Sequence, residues 1–184
     1  MRSKLLFIGI FSFLFLVGCK DEVLPKPKAQ LRLEYPKGET SQVQTGDYSF
    51  QYNSLAKVKD LRQSSFTLDY PSLKGAIYLT YKPVQNNLKD LLSDAQKLSY
   101  EHVIKADNIV EQKFINEDAR VFGMFYEVKG NAASQAQFYV TDSTSHFLTG
   151  SLYFYAKPNY DSIYPAAAYL QNDVRKILET LRWR

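Results

Sequence analysis

Cys19 is the only cysteine in this chain of 184 residues, and its setting defines what its thiol can do. It ends the tetrapeptide Leu16-Val17-Gly18-Cys19, which closes an apolar run from Leu5 to Val17 behind the cationic Arg2 and Lys4. A short positive segment, an apolar stretch shorter than the roughly 20 residues of a membrane span, and a small residue beside the cut mark an export signal. With cysteine at the cut, the pattern is a bacterial lipobox. Cleavage before Cys19 leaves residues 1–18 behind as a signal peptide, and the thiol takes a diacylglyceryl group. Each buried CH₂ of the acyl chains, palmitate among them, contributes roughly 0.8 kcal/mol of membrane affinity, so three chains anchor firmly. Acylation also leaves no thiol for a disulfide. The competing reading is an uncleaved anchor helix with an incidental cysteine.

The other reactive side chains form no catalytic set. The two histidines, His102 and His146, lack partners at metal-ligand spacing, so no metal site is expected. No phosphate loop, dinucleotide fingerprint or nucleophile elbow occurs, so neither a cofactor nor catalytic residues are expected, and the chain reads as a non-enzyme. Asp142, four residues before His146 and close to several serines, fits a hydrogen-bonded turn far better than a triad. Asp142-Ser143-Thr144 and Asp161-Ser162-Ile163 match a short sequon for O-glycosylation on Ser143 and Ser162, both in expected loops; a turn and a helix cap explain the same residues.

Charge excludes one partner class. Without Arg2 and Lys4 the 23 basic residues fall to 21 against 19 acids, and the two signs are interspersed. No nucleic-acid footprint results.

These features need elements to hold them. Residues 19–46 read as a lipid-anchored tether, with Pro25-Lys26-Pro27-Lys28 favouring an extended chain and Thr40 to Gly46 polar and aperiodic. Leu31 to Pro36 alternates and suits either an edge strand or a linker. Residues 47–184 read as a single α+β domain. Strands are expected at Tyr48–Tyr52, Phe66–Tyr70, Ala76–Lys82, Ile109–Phe114, Arg120–Val128, Gln135–Thr141 and His146–Tyr155, the last four as an antiparallel meander. One helix follows Asn86 or Asn87, with Leu88, Leu91, Leu92, Ala95, Leu98, Ser99 and His102 at helical spacing. A second follows the Pro158–Ser162 loop, with Pro165 in its first turn and Ile163, Ala167, Leu170, Val174, Ile177, Leu178 and Leu181 on one stripe. The expected fold class is an antiparallel sheet of about six to seven strands packed with two amphipathic helices, in an order like the Mog1/PsbP-like sandwich. Gly75–Pro83 is echoed by Gly150–Pro158 at an offset of 75, either as related halves or as strand chemistry needed twice.

Several stretches in order resemble one family: the lipobox, Pro25–Lys28, Ile77–Pro83, Lys129–Ser134, Thr141–Leu148, Gly150–Phe154 and Pro158–Ser162. The chain is similar to the gliding motility lipoprotein GldD family of Bacteroidetes. The resemblance implies a non-enzymatic envelope lipoprotein of the gliding machinery and the associated type IX secretion system. It also implies an assembly or scaffolding subunit, with other motility and secretion lipoproteins, ring or translocon components as partners. It brings no catalytic residues. Lys20 is not the aspartate that retains many lipoproteins at the inner membrane, so the outer membrane is favoured, on its periplasmic face. Lys20-Asp21-Glu22 could instead address the protein to the cell surface. Tyrosine is favoured at protein interfaces, and Tyr153, Tyr155 and Tyr160 with Lys157 and Pro158 form the expected contact patch. The alternative is a lipid-anchored module that binds a small ligand or glycan.

Overall fold

In the computed structural model of the chain, residues 35–60, 64–101, 106–155 and 159–184 are described. The signal segment, Cys19, Lys20-Asp21-Glu22, His102, Lys157 and Pro158 lie outside these residues. The strands are β1 (Thr40–Gln44), β2 (Tyr48–Asn53), β3 (Lys57–Lys59), β4 (Ser65–Tyr70), β5 (Gly75–Pro83), β6 (Asn108–Asn116), β7 (Val121–Lys129), β8 (Ser134–Thr141), β9 (His146–Phe154) and β10 (Arg182–Trp183). Two helices, α1 (Leu88–Tyr100) and α2 (Tyr160–Thr180), complete the described elements together with a 3₁₀ turn at Pro71–Leu73. Seven strands form one sheet in the order β3-β4-β5-β9-β8-β7-β6, and β1-β2-β10 form a second. Every pairing among the described strands is antiparallel. This is an α+β fold.

Alternation along the strands gives the large sheet two unlike faces. Phe66, Leu68, Ile77, Leu79, Phe138, Val140, Leu148 and Leu152 point into the main core. There they meet Leu170, Val174, Ile177 and Leu178 of α2, and Val43, Tyr48 and Phe50 of the small sheet. The 3.6-residue stripe of α2 is therefore the lid of this face. The opposite face is covered over part of its width by α1, whose Leu88, Leu91, Leu92 and Ala95 pack on Ile109, Met124, Tyr126, Tyr139 and Phe147.

The expected tether boundary at residue 46 needs correction. Thr40–Gln44 is a strand paired residue by residue with β2, from Thr40 opposite Asn53 to Gln44 opposite Ser49. Only Val43 of this strand turns inward, so no alternation of hydrophobicity betrays it. Upstream, the Tyr35 ring rests on Tyr169 at 5.0 Å, and Tyr169 Oη donates to the Pro36 carbonyl at 2.8 Å. Lys176 Nζ donates to Thr40 Oγ1 at 2.6 Å. Residues 35–46 belong to the folded part.

Four local expectations also shift. β3 lies between the strands expected at Tyr48–Tyr52 and Phe66–Tyr70, where no element is expected. Leu98 is largely exposed, and Ser99 takes the inward place, donating to the Ala95 carbonyl or Gln137 Oε1. α2 begins at Tyr160, so Pro165 lies in its second turn and Ser162 in its first, not in a loop. The helix stops at Thr180 because Leu181 turns extended and Arg182–Trp183 pair with Ser49 and Tyr48. Arg182 meets the helix end with its side chain, donating to the Glu179 carbonyl at 3.3 Å and to the Leu181 carbonyl at 2.6 Å.

The echoed segments are neighbours. β5 and β9 pair antiparallel across nine residues, from Gly75 opposite Phe154 to Pro83 opposite His146. The helices that follow them lie on opposite faces of the sheet, whereas a twofold between these neighbours would place both on one face. Strand chemistry needed twice accounts for the echo.

Candidate interaction surface

Among the described residues, the face that carries α1 is covered by that helix over β6 to β9. The register extends that face across the rest of the sheet. Tyr78 is flanked by Thr67 of β4 and Ser151 of β9, Thr80 by Ser65 and Thr149, and Ala76 by Asp69 and Tyr153. Among the described residues no helix lies over these positions. Tyr78 is 42% exposed and Tyr155 is 55% exposed, which sets them apart from the buried tyrosines of both cores. A shallow trough lined by Asp60, Ser65, Thr67, Tyr78 and Thr80 runs along the β4–β5 side.

This bare region is held in place from beneath. Asp69 is buried at 3% exposure within β4, an unusual place for a carboxylate. Lys59 reaches it from β3 at 2.5 Å, and Tyr155 Oη donates to it at 3.1 Å. The hydrogen bond from Lys59, helped by Tyr155 and the nearby Lys57 charge, outweighs burial and lowers the Asp69 pKa. Burial, then Tyr78 and Asp69, push the Tyr155 phenol up, so it stays a donor at neutral pH. The Tyr78 and Tyr153 rings meet edge to face, 5.7 Å apart at 74°. The result is a plate of aromatic rings and hydroxyls linked by hydrogen bonds and ring contacts.

The expected contact patch is thus divided. Tyr153 and Tyr155 come together, joined by Tyr78, Asp69 and Lys59. Tyr160 stands in another cluster at the start of α2, against Tyr164 at 5.4 Å, where its backbone N–H donates to Asn131 Oδ1. Tyr78 and Asp69 escaped the sequence reading. The echo aligns Tyr78 with Tyr153, and an acid in an otherwise uncharged strand was a second available signal.

The Asp142–His146 pair is a turn. Asp142 Oδ1 accepts from the backbone N–H groups of Thr144, Ser145 and His146 at 3.0, 2.8 and 2.8 Å, and Oδ2 accepts from Thr144 Oγ1. Burial raises this carboxyl, but those four bonds prevail and hold it below the usual carboxylate range. The His146 ring turns the other way, with Nδ1 2.9 Å from Tyr81 Oη and its plane stacked on Trp183. Ser143, at the tip of this turn, and Ser162 are both exposed. Among the described residues no cluster of three His, Cys, Asp or Glu side chains is placed to hold a metal.

The family model for the gliding motility lipoprotein GldD matches residues 20–183. The chain belongs to the GldD family. Membership makes it a gliding motility lipoprotein, associated with the cell envelope. The matched span covers both sheets and both helices, and so contains the whole bare face. No curated protein matches the chain by sequence.

Proposed function

We propose that this GldD-family lipoprotein is a non-enzymatic assembly subunit of the gliding machinery and its associated type IX secretion system. Acylated Cys19 holds it at the outer membrane, on the periplasmic side. The bare face around Tyr78, Tyr153 and Tyr155 binds other motility or secretion lipoproteins, ring or translocon components. One observation carries the reading: exposed tyrosines on a sheet face braced by a buried carboxylate, a rigid surface of the composition that protein interfaces favour. The absence of a catalytic role for Asp142 and His146 rests on their divergent hydrogen bonds.

Affinity purification of the acylated protein from native membranes tests this. Motility or secretion lipoproteins should co-purify with the wild type and be lost from a Tyr78→Ala/Tyr153→Ala variant. Unchanged capture would remove the bare face from the reading. Fractionation that finds the protein solely with inner-membrane markers would overturn its placement. Deleting the gene should abolish both spreading and secretion.

The trough along β4 and β5 favours a second reading. One aromatic ring beside several hydroxyls suits a glycan or another small polar ligand. Binding of oligosaccharides to the purified protein, lost with Tyr78→Ala, would support that role instead.

A further inference from the structure

The two edges of the large sheet differ. β3 is three residues long and reads Lys57-Val58-Lys59, a short cationic edge that resists pairing. β6 is nine residues long, contains no proline, and pairs with β7 in unbroken register from Asn108 opposite Lys129 to Asn116 opposite Val121. It pairs with nothing else among the described residues. A long, regular edge with no bulge is an open template for another strand.

Its sequence specifies which strand. Asn108-Ile109-Val110-Glu111-Gln112-Lys113-Phe114-Ile115-Asn116 reads the same in chemistry from both ends. In an antiparallel pair centred on Gln112, Asn108 faces Asn116 of the second copy, and Ile109 faces Ile115. Val110 faces Phe114, and Glu111 faces Lys113. Opposite residues then share a face, as the pleat requires. The Ile–Ile and Glu–Lys pairs lie on the α1 face, and Val–Phe and Gln–Gln on the other. Moving the centre to Glu111 sets Lys113 against Ile109 and Phe114 against Asn108, so the chemistry selects one register.

We propose that two copies of this chain join through β6 about a twofold axis at Gln112, making one continuous sheet from two seven-stranded ones. Opposite charges placed directly across the strands favour this pairing, and like charges there oppose it. The pairing accounts for Ile115, the most exposed large hydrophobic among the described residues at 64%, which Ile109 of the second copy would cover. Glu111 already accepts from Tyr100 Oη through one carboxylate oxygen, Oε1, leaving Oε2 for the incoming lysine. The edge lies across the sheet from the bare β3–β5 region, so this interface does not depend on the proposed function.

Cysteine cross-linking of the full-length lipoprotein in its membranes tests the proposal. Residues directly opposite in an antiparallel pair have Cα atoms about 4.5–5.5 Å apart, within disulfide reach. Gln112→Cys should give a band at twice the monomer mass on mild oxidation. The wild type, with Cys19 alone, and Lys57→Cys on the other edge should not. Added to Gln112→Cys, either Glu111→Lys or Lys113→Glu should abolish the band, because each sets like charges opposite at both symmetric positions. Combining the two restores complementarity and should restore the band. Unchanged thermal unfolding of the single variants would separate lost pairing from lost folding. A Gln112→Cys protein that stays monomeric, or cross-links to a protein of different mass, would overturn the proposal. So would a double charge swap that fails to recover the dimer.

Discussion

The α1 face of the large sheet has two halves, and they use aromatic residues differently. In the covered half, Tyr126, Tyr139 and Phe147 sit among Met124, Ile109 and the leucines of α1. In the bare half, Tyr78 and Tyr153 sit among Thr67, Thr80, Thr149 and Ser151. Aromatic content alone cannot tell these halves apart. What distinguishes them is the company on the same face: apolar neighbours call for a helix to bury them, whereas threonine and serine tolerate water. The covered half should therefore govern stability and the bare half recognition.

The largest expected effect comes from the covered half. Phe147 is 1% exposed, stacks on Tyr139 at 5.9 Å, and packs beneath α1. Phe147→Ala removes a buried ring and leaves a cavity, so it should cost about 3–5 kcal/mol in denaturant unfolding. A loss below about 1 kcal/mol would mean that α1 is not anchored where the geometry places it.

Overpacking in the main core comes next. The Phe138 ring lies across Gly150, and a Cβ there would sit 2.1 Å from Phe138 Cε1. Glycine is needed at this point for close approach, not for backbone freedom. Gly150→Ala should destabilise by about 1–3 kcal/mol, read as a lower melting temperature. The joint variant Gly150→Ala/Phe138→Leu should recover part of that loss.

Two buried acids give opposite pH responses and separate the bare face from the α2 side. Asp69 has a lowered pKa, so its stabilisation is complete above the unfolded value of about 3.9 and is lost as pH falls through the folded value. Asp69→Asn should cost about 1–2 kcal/mol at neutral pH and flatten the acid limb of the stability curve. Asp173, on α2, has a raised pKa, because burial outweighs the bonds from Asn53 Nδ2. Its contribution is complete below about 3.9 and is lost as pH rises through the folded value, so Asp173→Asn should gain stability at neutral pH. Urea unfolding of both variants between acidic and neutral pH distinguishes the two signs.

The regular elements were legible because their signals are local. The α2 stripe from Ala167 to Leu178 and the alternation of β2, β5 and β9 each follow from one period. β1, β3 and β10 were not legible. Each has at most one inward apolar residue or only two paired positions, so its existence depends on the partner strand rather than on its own pattern. The site was legible in part for the same reason. Tyr153 and Tyr155 stood out on one strand, but Lys59, Asp69 and Tyr78 reach them from three others, and only the register β3-β4-β5-β9 makes them neighbours. Tyr160 shares their part of the sequence but not their cluster.

The smallest stability effect is expected where the binding effect is largest. Tyr78 leaves 42% of its surface to solvent, and the Tyr153 ring meets its ring edge to face. An edge-to-face pair contributes about 0.5–1.5 kcal/mol beyond burial when fully desolvated, so at this exposure Tyr78→Ala should cost no more than about 1 kcal/mol. The same substitution removes the most prominent ring of the bare half. Tyr78→Phe, which keeps the ring and loses only the hydroxyl, should retain most of the capture that alanine abolishes if apolar contact dominates. If Tyr78→Ala instead unfolds the protein as Phe147→Ala does, the bare half belongs to the core, and the contrast between the two halves collapses.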